Sequence, residues 1–434
     1  MTEMLNLINE LWYLKRDLVS EDFDRSLFRL ADEVSMTIHE YPTGENCWTW
    51  RIPEKWSCQE AYLETLEGER LIDYADHPLH VVSYSLPYVG LVSRDELLRH
   101  LHVHPNLPDA IPFVFKYYDR DWGLCTTRRL RDSLQNNAYQ VVIRTRFEPG
   151  TLKVGEVVVP GETDESFVLA AHLDHGAMAN DDLTGVVVGV EVARALLAGP
   201  PRHYTYRILF LPETIGSVAY LSHNEALIPS MVGGLFLEML GNDSPHALQG
   251  SFQPESQPDR CLRSALHKLD PQSYLGEFRG IIDNDERQFN APGVRVPMLS
   301  LSRVEAPKTS GRPPYPQYHS SLDTPEIVNQ ERLEVSRDLV LSLIDAWEKN
   351  QVPFNDFKGE VFCSGYGIWI DHRTNPAGHR RLFDIMDRCD GTRSIADIAA
   401  ELEIPFQSAW EVVNQLADKK LVRLSYEGLL HYQT

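Results

Sequence analysis

FVLAAHLDHGAMANDDLTGVVVGVEVARALLAG, Phe167 to Gly199, reads as a buried strand, a polar loop and a helix in direct succession. Phe167 to Ala171 is a continuous apolar run, as expected of a strand covered on both faces of a mostly parallel sheet. Val186 to Leu197 has the composition of a buried helix, opened by Thr184 and Gly185. Between them stand His172, Asp174, His175, Asp181 and Asp182, five groups able to bind a metal, at the carboxyl end of a strand. Open α/β sheets place their ligands there. Taken alone, Asp181 and Asp182 read equally well as helix caps, since carboxylates accept the free N–H groups of a first turn. A lone His172 reads as a satisfied buried histidine.

Working outward, strand and helix patterns alternate. YQVVIRTRF and LKVGEVVVPG precede the central strand, and YTYRILFLPE follows its helix and ends at Glu213. A helix from about Gly216, the strand GGLFLEMLG with Glu238, the helix RCLRSALHKL and the strand VPMLSLSR come next. A long amphipathic helix, NQERLEVSRDLVLSLIDAWEKN, closes this part with Leu333, Leu339, Leu343 and Trp347 inward. The fold class is therefore α/β, a mixed sheet flanked by helices.

Three flanking regions differ. Residues 3 to 40 read as helical, with Leu5, Leu7, Ile8, Leu11 and Leu14 near one face and a second amphipathic run from Phe23 to Val34. Residues 45–122 read as a small inserted β-rich domain whose core is Trp48, Trp50 and Trp56; the main domain then comprises 1–44 and 123–351. His102 and His104 have ligand-like spacing, but no third ligand stands beside them, and they read as structural. Val352 to Phe357 reads as a linker, and residues 358–434 show helix, turn, helix and two short strands, a winged-helix pattern.

The chain has 434 residues, 43% of them hydrophobic, and a formal charge of -22. That charge argues against nucleic-acid or anionic-membrane partners, which require basic patches. From Asp356 onward nine Lys and Arg face twelve Asp and Glu, so the winged-helix pattern reads as a protein-interaction module or a cover for the site rather than a DNA reader. The N-terminus carries Glu3 and Glu10 where a signal peptide needs a basic start and an apolar core. The six cysteines have no paired spacing and fit reduced thiols in a cytoplasmic protein. Accessory domains of this kind also suit self-association.

Four strand ends thus offer ligands in chain order: His172 with Asp181, Glu213, Glu238, and His319 in YHSSLDT. Mixed His and carboxylate sets suit zinc, and a shared carboxylate suits a paired-metal hydrolytic site. A buried, unpaired Glu238 in an otherwise apolar strand would be costly.

That order of motifs, H-x-D, N-D-D-x-T-G, a Glu after an apolar strand, LEMLG and HSSLDT, resembles the M28 family of zinc aminopeptidases, related in fold to the glutaminyl cyclases. YPTGENCWTWRIPEKW, LHVVSYSLPY, IPFVFKYYDRDWGLC, ETIGSVAYL and DERQFNAPGVRVP resemble more narrowly a bacterial group of M28-like proteins with an inserted β domain and a C-terminal winged helix. The resemblance implies one or two zinc ions. Asp181 would bridge them, His172 and Glu238 would complete one site, and Glu213 and His319 the other. Asp174 would orient His172, and Asp323 would support His319. M28 enzymes carry two adjacent glutamates, base then ligand, where this chain has Pro212 and Glu213. Either Glu213 is a ligand and Asp285 or Glu286 takes the proton, or Glu213 is the base and one metal site is weakened; His175 is a further candidate for ligand or base. Arg287 would bind a substrate carboxylate or pair with Asp285. The implied activity is hydrolysis of a short peptide or small amide. A glutaminyl-cyclase-like single-zinc enzyme and a binding protein that has lost catalysis are the alternatives.

Overall fold

A computed structural model of the chain describes residues 4–427. Its centre is an eight-stranded mixed sheet. In chain order the strands are β1 (Thr37–Pro42), β2 (Thr151–Val159), β3 (Ser166–His172), β4 (Thr205–Leu211), β5 (Met231–Glu238), β6 (His246–Gln249), β7 (Tyr274–Gly276) and β8 (Met298–Arg303). Across the sheet they run β1-β2-β4-β3-β5-β8-β6-β7. The four central strands, β4, β3, β5 and β8, are parallel. Every residue of β3, β5 and β8 is buried, which explains the unbroken apolar runs of β3 and β5.

The helices covering this sheet are α1 (Met4–Leu11), α2 (Glu21–Glu33), α3 (Leu183–Ala198), α4 (Ile215–His223), α5 (Gln257–Leu269) and α6 (Gln330–Glu348). α6 buries Leu333, Leu339, Leu343 and Trp347, as its spacing requires. Among the described residues no helix is long and apolar enough to cross a membrane. All six cysteines are free thiols.

The flanking regions depart from the sequence reading. Residues 37–40 lie in β1 rather than in a helix, because the alternating TIHEY pairs antiparallel with Thr151–Glu156. The short strands β6 and β7 carry too few residues to show a period. The small sheet contains Arg70–Asp73, Lys55–Glu64, Ala138–Glu148 and Tyr88–Ser93 in that order, and so extends past residue 122. Ala138–Glu148 joins it because that long β-branched strand pairs along nearly all of Lys55–Glu64. Only Trp56 enters the core there, stacked on Tyr84, whereas Trp48 and Trp50 are exposed. His104 Nδ1 accepts the N–H groups of Asn106 and Leu107, a turn cap.

Val352–Asn355 is a strand and not a linker: it pairs antiparallel with Val422–Ser425. The helices beyond it are α7 (Pro376–Met386), α8 (Ile395–Glu401) and α9 (Phe406–Asp418). The second expected strand, in GLLHY, lies outside the described residues. α9 rests against α5, where Phe406 N–H donates to Ser264 Oγ and Lys268 approaches Glu411 at 3.5 Å. Asp397 of α8 receives bonds from Gln257 and Arg260 of α5.

Candidate metal centre

The loop after β3 folds locally for reasons its sequence states. Asp182 caps α3, accepting Gly185 N–H at 3.0 Å and Met239 N–H at 2.8 Å on the same oxygen. Gly185 is required there, since a Cβ would lie 2.4 Å from the Leu237 carbonyl. The two acids of NDD therefore divide the roles that the sequence left open: Asp182 is the cap and Asp181 points into the site. The peptide between them is cis.

Three histidines converge on Asp181. His172 Nε2 lies 3.1 Å from Asp181 Oδ1, with Glu238 Oε1 3.9 Å from the same nitrogen. His319 Nε2 lies 3.1 Å and His175 Nδ1 3.4 Å from Asp181 Oδ2. The ligand atoms fall into sets of metal-site dimensions, among them His172, Asp181 and Glu238, and His175, Asp181 and His319. The opposite nitrogens are occupied: His172 Nδ1 bonds Asp174 at 3.3 Å, and His175 Nε2 bonds Glu213 at 3.0 Å.

The donor atoms themselves fit a cation. His172 Nε2, His175 Nδ1, His319 Nε2, both Asp181 oxygens and Glu238 Oε2 are buried with no hydrogen-bond partner. Buried polar atoms are almost always paired, so six orphans facing one another mark a place built for an ion. Burial alone would lower His175, but the charges of Asp181 and Asp174 raise it to about 10; the cluster demands positive charge.

Strain is concentrated here too. His175, Ala177, Thr214, Met239 and His319 all have φ between 52° and 74° although none is glycine. Such residues cost roughly 1–3 kcal/mol each and gather at functional sites. Each lies in, or directly after, a segment that carries a candidate ligand. Access is from one side, because the side chains of His319 and Glu213 are 28% and 21% exposed while the others are 0–3% exposed. Phe113 forms the neighbouring wall, 4.7 Å from the His175 ring, and its N–H donates to the His319 carbonyl.

The remaining candidates lie around this cluster. Asp323 does not touch the His319 ring; its oxygens accept the N–H groups of Asn180 and Asp181 and the hydroxyl of Tyr315, so it holds the loop that presents Asp181. Asp285 accepts Thr214 N–H and the Ser217 hydroxyl at the start of α4. The Glu286 carboxylate accepts Gln249 Nε2 and Asn284 N–H, which commits it to the loop rather than to the cluster. Burial pushes both acids up to about 7. Arg287 pairs with Asp283 at 3.3 Å and not with Asp285. Asn284, which no sequence motif singles out, reaches the site and donates to Glu238 Oε1 at 2.6 Å.

Residues 5–350 match the family described as a domain of unknown function, DUF4910. The chain belongs to this family. A curated relative in Clostridium acetobutylicum, the "putative polysaccharide biosynthesis protein with aminopeptidase-like domain", is 30% identical over 426 residues, 97% of this chain and 96% of the relative. The crystal structure of a "putative peptidase" from the same organism superposes with a TM-score of 0.85 at 29% identity, covering 97% of this chain and 96% of that one. BSAP, a zinc aminopeptidase from Bacillus subtilis, superposes with a TM-score of 0.58 at 14% identity, covering 79% and 93%. This DUF4910 protein thus has an aminopeptidase fold.

Proposed function

We propose that the protein is a zinc-dependent hydrolase of the aminopeptidase type, cleaving an amide bond of a short peptide or small amide. The observation that carries this reading is the set of orphaned histidine and carboxylate atoms converging on Asp181. His172, Asp181 and Glu238 would hold one ion, and His175, Asp181 and His319 the other. Zinc bound there would polarise the scissile carbonyl and bring the pKa of a water molecule near neutrality.

The ligand role implied for Glu213 passes to His175 on this reading, and Glu213 becomes the proton acceptor. Burial opposes its ionisation, but the hydrogen bond and charge of His175 hold it well below the ordinary carboxylate range, so it is a carboxylate at neutral pH. It is also the one acid beside the cluster whose side chain reaches solvent. Asp174 fixes the His172 ring and Glu213 the His175 ring, as carboxylates do for metal-bound imidazoles.

The test is zinc stoichiometry by elemental mass spectrometry, followed by assays with aminoacyl amides and short peptides. Two ions per chain with turnover of an amide support the proposal. No ion after zinc dialysis would sink it. Two ions without turnover of any amide would favour a binding protein that kept the fold, the reading to which Pro212 points.

A further inference from the structure

Resting on the metal-centre reading above, we propose that the segment Leu14–Asp17 is part of that centre, with Arg16 as the positioning residue that sets the half-site carrying His175. Arg16 is completely buried, and among the described residues no carboxylate lies within ion-pair distance of it. A buried charge without such a partner is expensive unless its donors are fully used and the surrounding field is favourable.

Both conditions hold. Arg16 Nε donates to the Leu173 carbonyl at 2.8 Å, and Nη2 donates to the carbonyls of His175 at 2.8 Å and Met178 at 3.0 Å. Nη1 turns back to the carbonyls of Leu11 and Trp12. Burial lowers the guanidinium to about 10, opposed by Asp174, Asp22, Asp323 and Asp181, so it remains a cation.

The three loop carbonyls bracket the two left-handed residues His175 and Ala177, at φ 74° and 57°. A conformation of that cost persists only where the surroundings over-determine it. The planar fork of arginine, with donors at fixed angles, can do so, whereas a lysine offers a single point. The backbone contributes as well. Ala177 N–H donates to the Leu14 carbonyl at 3.2 Å. A Cβ on Gly176 would lie 2.8 Å from Lys15 Cα and 2.9 Å from Arg16 N, so the two chain segments touch main chain to main chain. Lys15 Nζ in turn donates to the Pro78 carbonyl at 3.3 Å, tying the segment to the residues around the small sheet. Arg16 touches neither Asp181 nor an imidazole; it acts through the loop on the direction of the His175 ring.

The experiment is cobalt(II) titration of the metal-free full chain and of Arg16→Lys, reading visible absorption and chelator competition. Arg16→Lys keeps the charge and removes the fork. We expect the wild type to take two ions and the variant to bind one of them about 10–100-fold more weakly, the scale seen when outer partners of ligands are removed. The visible band of that ion should change, with the far-UV circular dichroism of the metal-free protein unchanged. Equal affinities and identical spectra would overturn the proposal and leave the metal-centre reading intact. No cobalt on the wild type would overturn both. If Arg16→Lys does not fold, hydrogen–deuterium exchange of the wild type decides: zinc should slow the amides of residues 15–17 together with those of 173–179, and unchanged exchange at 15–17 refutes the coupling.

Discussion

The two ring nitrogens of His175 face different carboxylates, Nε2 3.0 Å from Glu213 Oε2 and Nδ1 3.4 Å from Asp181 Oδ2. Glu213 can therefore influence the centre without binding an ion. Replacing it by Gln keeps an oxygen for His175 while removing the proton acceptor. Glu213→Gln should retain its zinc and lose about 10²–10⁴ in kcat, the usual contribution of general-base catalysis. Zinc analysis beside steady-state kinetics checks this; loss of an ion together with activity would make Glu213 a ligand.

Among the described residues Asp181 is the only acid that faces all three histidines. Asp181→Ala should abolish binding of both ions, and His319→Ala should remove one while leaving the chain folded. Elemental analysis paired with far-UV circular dichroism separates metal loss from unfolding. Full zinc content in either variant would contradict the ligand set.

Asn284 gives Glu238 its one close donor, at 2.6 Å. Asn284→Ala should weaken the ion of the His172 half-site by about 10–100-fold and spare the other. Asn284→Asp, which puts a like charge beside a buried carboxylate, should be worse. Chelator competition on the two variants ranks them, and wild-type affinity in Asn284→Ala would show that the donor does not matter.

Acid stability should depend on Glu156, which joins three elements: His39 of β1 at 2.8 Å, Arg207 of β4 at 2.6 Å and Tyr220 of α4 at 2.7 Å. Burial would raise its pKa, but these partners lower it from 4.5 to about 2. A depressed carboxylate stabilises the fold fully above the unfolded value and loses that contribution as pH falls towards the folded one. After discounting for solvent screening, Glu156 contributes about 1–2 kcal/mol. Glu156→Gln should lower stability at pH 7 and flatten its decline between about pH 4.5 and 2. Denaturant melts over that range measure both slopes; parallel curves would refute the assignment.

The strand, loop and helix from Phe167 to Gly199 were legible because burial on both faces leaves an unbroken apolar run and a cap leaves an acid. His172 and Glu238 were legible as polar groups at strand ends, and Asp181 and His319 through the motifs that carry the family resemblance. The sequence left open whether His175 or Glu213 is the ligand, since their placement depends on left-handed backbone at His175, Ala177 and Thr214, which no local rule assigns to those residue types. Arg16 was hidden for another reason: its partners lie across the chain in the loop after β3, and a single arginine in a helical-looking stretch carries no sign of them. Asp323 stood beside His319 in sequence, yet its side chain turned to the backbone of Asn180 and Asp181.

Pro112 bridges to Ser320, and the Phe113 N–H meets the His319 carbonyl. This seam has a consequence for the order of synthesis. On the proposed ligand set, a ribosome that has delivered Glu238 has delivered all three ligands of the His172 half-site, whereas the second half-site waits for His319. Until then the Phe113 N–H and the Ile111 carbonyl lack the partners they find in His319 and Ser321. On that ligand set, the first half-site is thus complete in sequence well before the loop that closes the second is made.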